Sequence, residues 1–515
     1  MPLAILRESS APLSKAPHPS YGQILKSSSI VGGAQGINYL IGMVRTKVVA
    51  VLLGPSGVGL VGLYISATSL VGVITGLGIG TSGVREVAEA HASGDAARVA
   101  RTVHTLRRAC WVSGLFGWFL TIALAYPLSV WTFGSGERAV AVALLGVTLL
   151  LSSVAGGQTA LLQGARRIGD LARLNVISVL VGTITAVAIY AWLGERGIVP
   201  VLIATALVNV GFSWWFARCV PITPVAMAWA ETWQHSKRLI RLGLAFMWGA
   251  LLTAAVTLAI QSLIVRNLGL DANGVYQAAW AISGMFAGFI LGAMATDFYP
   301  RLTAVAHDHE QVNRLINEQT EIGILLALPG LLGTLAFAPW IMRIFYTAKF
   351  LPGAELLPWF VLGIFGQVIS WPMGFAVVAQ GAAGWYVAIE TSANILRFVL
   401  SLVLLQWLGL WGTALAIPLL YVFVTALVYW VCRRLTGFRW AAASLKLLAT
   451  SAALVLAGFA AQKWLPGYFG IAAGGVLTAV ACVFTLRGIA TRLGKDHRII
   501  QIACRFPGGR IACGP

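Results

Sequence analysis

VGLVGLYISATSLVGVITGLGIG, residues 58–80, contains no Asp, Glu, Lys or Arg. A helix needs about 20 mostly apolar residues to cross the hydrocarbon of a bilayer, so this stretch reads as a membrane span. Its glycines carry more information. Residues 274–298, GVYQAAWAISGMFAGFILGAMATDF, repeat the layout: Gly59 falls on Gly274, and Gly72 and Gly76 fall on Gly288 and Gly292. Working outward, Arg85 falls on Arg301. Tyr126-Pro127 with Phe133 falls on Ala338-Pro339 with Phe345, and Gln163-Gly164-Ala165 on Gln380-Gly381-Ala382. The pairs keep their order at a shift of 212–217 positions, which chance likeness between apolar segments would seldom do. The chain is a tandem duplication.

The rest of the sequence is of the same class. Hydrophobic residues make up 58% of 515 positions and charged residues 10%, against roughly 25% charged in a soluble chain. About fourteen apolar runs of spanning length follow one another with short connections, among them span 1 (27–53), span 2 (58–80), span 7 (241–268), span 8 (274–298) and span 11 (384–408). The expected fold is therefore an all-α integral membrane protein. Two pseudo-symmetric six-helix lobes form a parallel repeat, with two extra C-terminal helices. The expected divisions are an N-terminal segment (1–26), an N-lobe (27–220), a linker (221–240), a C-lobe (241–435), spans 13 and 14 (436–490) and a basic tail (491–515). Six spans per copy is even, so both copies enter from one side, and an axis along the membrane normal would relate them. Glycines four apart, Gly72/Gly76/Gly80 and Gly284/Gly288/Gly292, suit close packing of helices. The polar segment from Gly83 to Arg108 is expected to lie as a short surface helix.

The net charge of +19 does not indicate nucleic acid, because no basic domain gathers it. With the N-terminus placed in the cytoplasm, 27 of the 36 Lys and Arg fall in cytoplasmic segments, 6 in external ones and 3 within spans. This asymmetry is the positive-inside pattern, and it puts both termini in the cytoplasm. The run from Ser27 is too long for a cleavable signal. The six cysteines are scattered with no paired spacing, which gives neither a disulfide framework nor a zinc site.

Few polar residues lie deep in the spans, and they line up. Gln35, Asn38 and Arg45 share one face of span 1 with Gly42. Glu390, Asn394, Arg397 and Ser401 share one face of span 11. Thr253, Thr257 and Gln261 form a milder stripe on span 7. A charge at mid-bilayer costs about 2.5–3.5 kcal/mol even on a permissive scale, so such groups face the bundle interior or a cavity. Arg397 is near the middle of its helix, out of snorkelling reach. Its alternatives are a cavity role or an internal ion pair with Glu390, two turns away on the same face. Lys47 points about 200° from Arg45 on an ideal helix and could snorkel outward. Three deep cations against one deep acid favour an anionic ligand, and guanidinium groups hold phosphate oxygens in pairs. Arg45, Lys47 and Arg397, with Asn38, Gln35, Asn394 and Gln261, are the candidate cavity and diphosphate residues. Glu390 is the candidate ion-coupling group.

Catalytic patterns are missing. Gly78-Ile79-Gly80-Thr81-Ser82-Gly83 fits the dinucleotide pattern but closes a membrane helix with no preceding strand. The sequence holds no Walker A, HExxH or GxSxG motif, so a carrier is expected rather than an enzyme, with no cofactor and no metal. A membrane polymerase or glycosyltransferase would need a large external loop or acidic residues at the membrane face, and neither is evident.

Four stretches carry a family resemblance: IGMVRTKVVAVLLGPSGVGLVGLY (41–64), GLGIGTSGVREVAEA (76–90), QTALLQGARRIGDLARLNV (158–176) and LGLDANGVYQAAW (268–280). With twelve repeated spans plus two, the chain resembles the Wzx-type O-antigen and exopolysaccharide flippases. These belong to the multidrug/oligosaccharidyl-lipid/polysaccharide (MOP) exporter superfamily. The likeness covers most of residues 25–435. It implies transfer of an undecaprenyl-diphosphate-linked oligosaccharide from the cytoplasmic to the periplasmic leaflet of the bacterial inner membrane by alternating access. It also implies a cation-lined cavity, and the polymerase and chain-length regulator of the same pathway as partners. A peptidoglycan-precursor flippase and a drug/cation antiporter share the fold and remain alternatives. The excess of deep positive charge argues against the antiporter.

Overall fold

The computed structural model describes residues 21–222, 227–465 and 467–493. The expected N-terminal segment and basic tail lie largely outside the described residues. Within them every element is helical. An apolar chain in a bilayer has no water to satisfy its backbone, and a helix satisfies it internally. The α-helices are α1 (Tyr21–Gly76), α2 (Ile79–Ala92), α3 (Ala96–Phe133), α4 (Ala139–Gly164), α5 (Ile168–Leu193), α6 (Ile198–Ala217) and α7 (Trp229–Ala304). They continue as α8 (His309–Ala336), α9 (Ala338–Phe345), α10 (Gly353–Ala379), α11 (Ala383–Leu408), α12 (Leu410–Thr436), α13 (Ala442–Trp464) and α14 (Gly467–Leu493).

Among the described residues, eleven segments are long and apolar enough to cross a membrane. Three of them, Gly33–Gly76, Ile168–Ala217 and Met247–Met285, run 44, 50 and 39 residues, about two crossings each at ~20 residues per crossing. Counting those three twice gives fourteen crossings, as the apolar runs predict. α1 and α7 each hold two spans joined at a glycine turn, Gly54 (φ 66°) and Gly269 (φ 88°). These glycines stand 215 positions apart. So do the positive-φ residues Gly194 and Gly409, and Arg166 and Gly381. Asp95 and Asp308, 213 apart, cap α3 and α8 by accepting from two backbone N–H groups each. At Asp308, which lies outside the membrane, the Gln311 N–H is the main cause holding the carboxyl below its usual range. The duplication thus recurs as backbone geometry.

One expectation changes. The polar segment 83–108 is not one surface helix: α2 ends at Ala92, and the residues from Ala96 are the first turns of the 38-residue α3. α7 begins at Trp229, within the stretch 221–240. The copies differ in their breaks: α3 runs unbroken to Phe133, whereas its counterpart divides at Phe337 into α8 and α9. Span 2 stops at Leu77 and Gly78, both at positive φ, whereas α7 runs on unbroken to Ala304.

We call the end bearing Gly54 and Gly269 the outer end, following the charge asymmetry. There the lobes meet backbone to backbone. A Cβ on Gly59 would lie 2.8 Å from the Gly274 nitrogen, and one on Gly274 would overlap the Pro55 carbonyl. Asn273 Nδ2 donates to Gly59 O at 2.8 Å. Ala50 of span 1 enters the C-lobe core, and Leu258 of span 7 enters the N-lobe core. The outer seam is sealed.

α13 and α14 lie against α8. Thr485 Oγ1 donates to Leu325 O at 2.9 Å, and Ser444 Oγ to Glu321 Oε1 at 2.6 Å. Their apolar residues Leu447, Val455 and Ala481 join the Leu325–Leu335 core. The corresponding helix of the first copy, α3, instead exposes Trp111, Phe116 and Phe119, a face suited to lipid chains.

Candidate functional site

Inward of the seal the lobes part. Ser66 and Ser69 of span 2 face Gly249, Thr253 and Thr257 of span 7 across a space of about 540 Å³, with Tyr386 and Glu390 of α11 in its wall. Gly249 admits α11 closely: a Cβ there would sit 3.2 Å from the Tyr386 hydroxyl and 3.5 Å from Glu390 Oε2. The threonine stripe on span 7 and the polar face of span 11 therefore meet.

Arg397 lies behind this wall, against Thr257. It stands eleven residues before the end of α11, about 16 Å from that end at 1.5 Å per residue. Its side chain is 9% exposed. Nη1 lies 3.5 Å from Thr257 Oγ1, at the limit of a hydrogen bond, and the guanidinium sits 5.4 Å from the Trp280 ring centroid. Nε is buried with no partner. No ion pair joins Arg397 to Glu390 or to any other acid among the described residues, so the internal-pair alternative has no support in the geometry. A cation–π contact offsets about 0.5–2 kcal/mol of desolvation. A buried cation without an anion is otherwise costly, and the arrangement fits an anionic ligand that supplies the missing acceptors.

The other candidates are spread along the seam. Asn394 is buried and donates to the Glu390 carbonyl at 2.9 Å. Gln261, one turn beyond Thr257, is 3% exposed and its Oε1 has no partner; Ser401 Oγ is also buried and unpartnered. Arg45 is half-buried on span 1, within electrostatic range of Tyr190 of α5. Gln35 is exposed. Asn38 is half-buried and lines a separate cleft of about 330 Å³ between spans 1 and 8, with its Oδ1 unpartnered.

Lys47 stands apart from the Arg397 wall. Its ammonium donates to the carbonyls of Arg343, at 2.7 Å, and Tyr346, at the C-terminal end of α9 in the other lobe. Two of its three N–H donors are directed to these carbonyls. It sits at the seal.

Sequence reasoning missed Trp280, Tyr386 and Arg266. Trp280 closes the stretch LGLDANGVYQAAW, so its place in the duplication was the available signal. Arg266 counted only as an external charge, yet its Nη2 donates to Val130 O of α3 at 2.6 Å. No cluster of His, Cys, Asp and Glu able to hold a metal occurs among the described residues.

Comparisons with known proteins agree with this architecture. The sequence model of a family described as polysaccharide biosynthesis protein matches residues 48–355. A lipid III flippase of Escherichia coli (strain K12) is 24% identical over 416 residues, covering 74% of this chain and 91% of the relative. Among solved structures, the lipid II flippase MurJ in an inward closed conformation aligns with a TM-score of 0.65 at 12% identity, over 90% of this chain and 99% of that one. An inward-facing multidrug resistance MATE family transporter of the MOP superfamily aligns with a TM-score of 0.62 at 15% identity, over 80% and 96%. At these identities the structures speak to the fold alone, and it is the MOP transporter fold.

Proposed function

We propose that this chain, which belongs to the polysaccharide biosynthesis protein family, is a flippase for an undecaprenyl-diphosphate-linked oligosaccharide. It carries the headgroup from the cytoplasmic to the periplasmic leaflet of a bacterial inner membrane. The observation that carries the reading is Arg397: a buried guanidinium at mid-span, against Thr257 of the inter-lobe wall, with no ion-pair partner among the described residues. The name of the E. coli relative, a lipid III flippase, supports a lipid-linked cargo. O-antigen and exopolysaccharide repeat units are the cargo class that the family description favours.

By the charge asymmetry the sealed outer end is periplasmic, so the structure corresponds to an inward-directed state. The headgroup enters the inter-lobe space from the cytoplasm, and the lipid tail stays in the bilayer. The diphosphate settles against Arg397, with Thr257, Asn394 and Gln261 nearby and Arg45 on the facing lobe. The lobes then rock about their pseudo-axis, breaking the Gly59–Gly274 seal and releasing the headgroup outside. Glu390, in the same wall, is the group that would take a proton or sodium ion. The polymerase and chain-length regulator of the pathway would take over the released unit.

The experiment is translocation in proteoliposomes with lipid-linked oligosaccharide donors, read by accessibility of the headgroup to an external reagent. Arg397→Ala should lower the rate at least about tenfold, because one charge-assisted hydrogen bond is worth roughly 1.5–3 kcal/mol. Arg397→Lys should retain part of it. A correctly inserted Arg397→Ala protein that flips at the wild-type rate removes the basis of the reading. A deletion strain that accumulates the peptidoglycan precursor on the inner leaflet, rather than a glycan repeat unit, would reassign the cargo.

A further inference from the structure

Beside the inter-lobe space, inside the C-lobe, is a second cavity of about 430 Å³. α7, α10, α11 and α12 enclose it. Tyr386 and Glu390 line both spaces, so the two abut at these side chains. Its walls are aromatic. The Trp371 and Phe375 rings lie 4.4 Å apart, Tyr299 stands edge-on to Phe375 at 5.7 Å, and Tyr421 of α12 also lines the cavity. Gln367, Tyr386, Glu390 and Tyr421 bring an amide, two phenols and a carboxylate to the cavity, and none of these side chains is hydrogen-bonded among the described residues.

Polar groups inside a membrane bundle normally find one another, because an unsatisfied group in an apolar surrounding is costly. Four at one cavity, all without protein partners, point to a ligand that brings its own donors and acceptors. The aromatic faces require that ligand to have an apolar face as well. A pyranose ring has both: C–H bonds on its faces and hydroxyls around its edge. Glu390 lies seven residues before Arg397, about 10 Å along the same helix. A diphosphate held at Arg397 would therefore leave the sugars attached to it within reach of the cavity.

We propose that this C-lobe side pocket is a glycosyl-binding subsite, taking one sugar of the cargo between Trp371, Phe375 and Tyr421, with Gln367 and Glu390 on its hydroxyls. The proposal rests on the flippase reading and adds where the glycan is recognised. An organic cation also suits aromatic rings beside a carboxylate, but the Arg397 guanidinium on the same helix face disfavours a second positive charge.

The test measures binding to the full chain in nanodiscs. The probes are undecaprenyl diphosphate alone and the same lipid bearing glucose, galactose or N-acetylglucosamine. At least one glycosylated lipid should bind about tenfold more tightly than the bare one, the worth of one or two well-placed hydrogen bonds. Gln367→Ala and Tyr421→Phe, which leave the aromatic walls standing, should each remove most of that gain and leave the bare lipid's affinity unchanged. Equal binding of all four lipids, or equal weakening of bare and glycosylated lipid by the variants, overturns the subsite while leaving the flippase reading intact. Binding of tetraphenylphosphonium that Gln367→Ala and Tyr421→Phe weaken, with no gain from any sugar, reassigns the pocket to cations. Failure of every lipid diphosphate to bind overturns both the subsite and the flippase reading.

Discussion

Lys47, on the first span, donates its ammonium to the backbone carbonyl of Arg343 across the boundary between the lobes, at 2.7 Å. The reverse crossing also exists: Arg266, on the seventh span, donates to the Val130 carbonyl of α3 at 2.6 Å. Val130 and Arg343 are 213 positions apart, the same spacing as the Asp95 and Asp308 caps. Each lobe thus places a cation on the carbonyl end of the other lobe's third span. The last carbonyls of a helix carry partial negative charge, and the Val130 carbonyl accepts the Gly134 N–H as well, so both contacts set a cation at the negative end of a helix and hold the outer seam.

Removing these clamps should favour opening to the outside. Lys47→Met and Arg266→Met are each expected to raise the outward-open population several-fold, since a partly exposed charged hydrogen bond contributes about 1 kcal/mol. The two sites share no partner, so the double variant should show roughly additive effects. A cysteine at Ser56 in the outer mouth, with the exposed Cys219 and Cys482 replaced, reports the change through labelling by an impermeant maleimide. Unchanged labelling in the double variant would mean that the clamps do not hold the seam.

The glycine contact should be as sensitive. Gly274→Ala puts a methyl group into the Pro55 carbonyl and should cost about 1–3 kcal/mol of the sealed state, as overpacking does. Gly284→Ala on the same helix meets nothing within 4 Å and serves as the matched control. Thermal unfolding and the Ser56 labelling assay should separate the two variants. Indistinguishable behaviour would argue against backbone contact at the seal.

Arg166 and Gly381 occupy equivalent turns, with φ of 56° and 68°. An L side chain in that region costs roughly 1–2 kcal/mol. Arg166→Gly should therefore leave thermal stability unchanged or raise it, and Gly381→Val should lower it by several degrees. The reverse order in a melting experiment would refute the equivalence of the two turns.

Glu390 has no ion-pair partner among the described residues. If it carries the coupling ion, Glu390→Gln should abolish the response of transport to an imposed proton or sodium gradient, while Asn394→Ala should keep that response. Gradient-stimulated flipping that survives in Glu390→Gln would exclude this carboxylate as the coupling site.

Much of the architecture could be read before folding. An apolar run of spanning length has one satisfactory conformation in hydrocarbon, so the fourteen crossings follow from composition. The duplication follows from Gly59 and Gly274, whose counterparts align because the same close approach is needed twice. Arg397 was legible as a deep cation, since no interface is near enough for its head to reach. Its surroundings were not. Seven residues on one helix face made an Arg397–Glu390 pair plausible, but α7 comes between the alternatives: Thr257 and Trp280 meet the guanidinium, and Gly249 draws Glu390 toward span 7. Lys47 lay two positions from Arg45 and looked equivalent in charge, yet helix rotation directs it to the end of α9.

Local chemistry therefore determined what this chain is: an all-helical, duplicated membrane protein with its basic residues gathered at one end. Those properties depend on solvation of each segment by lipid or water, which a segment carries with it. Only the tertiary structure decided which deep cation stands beside the inter-lobe space and which one holds the seal. That distinction depends on the rotation of each helix about its own axis and on what its neighbours present there, and no single segment encodes either.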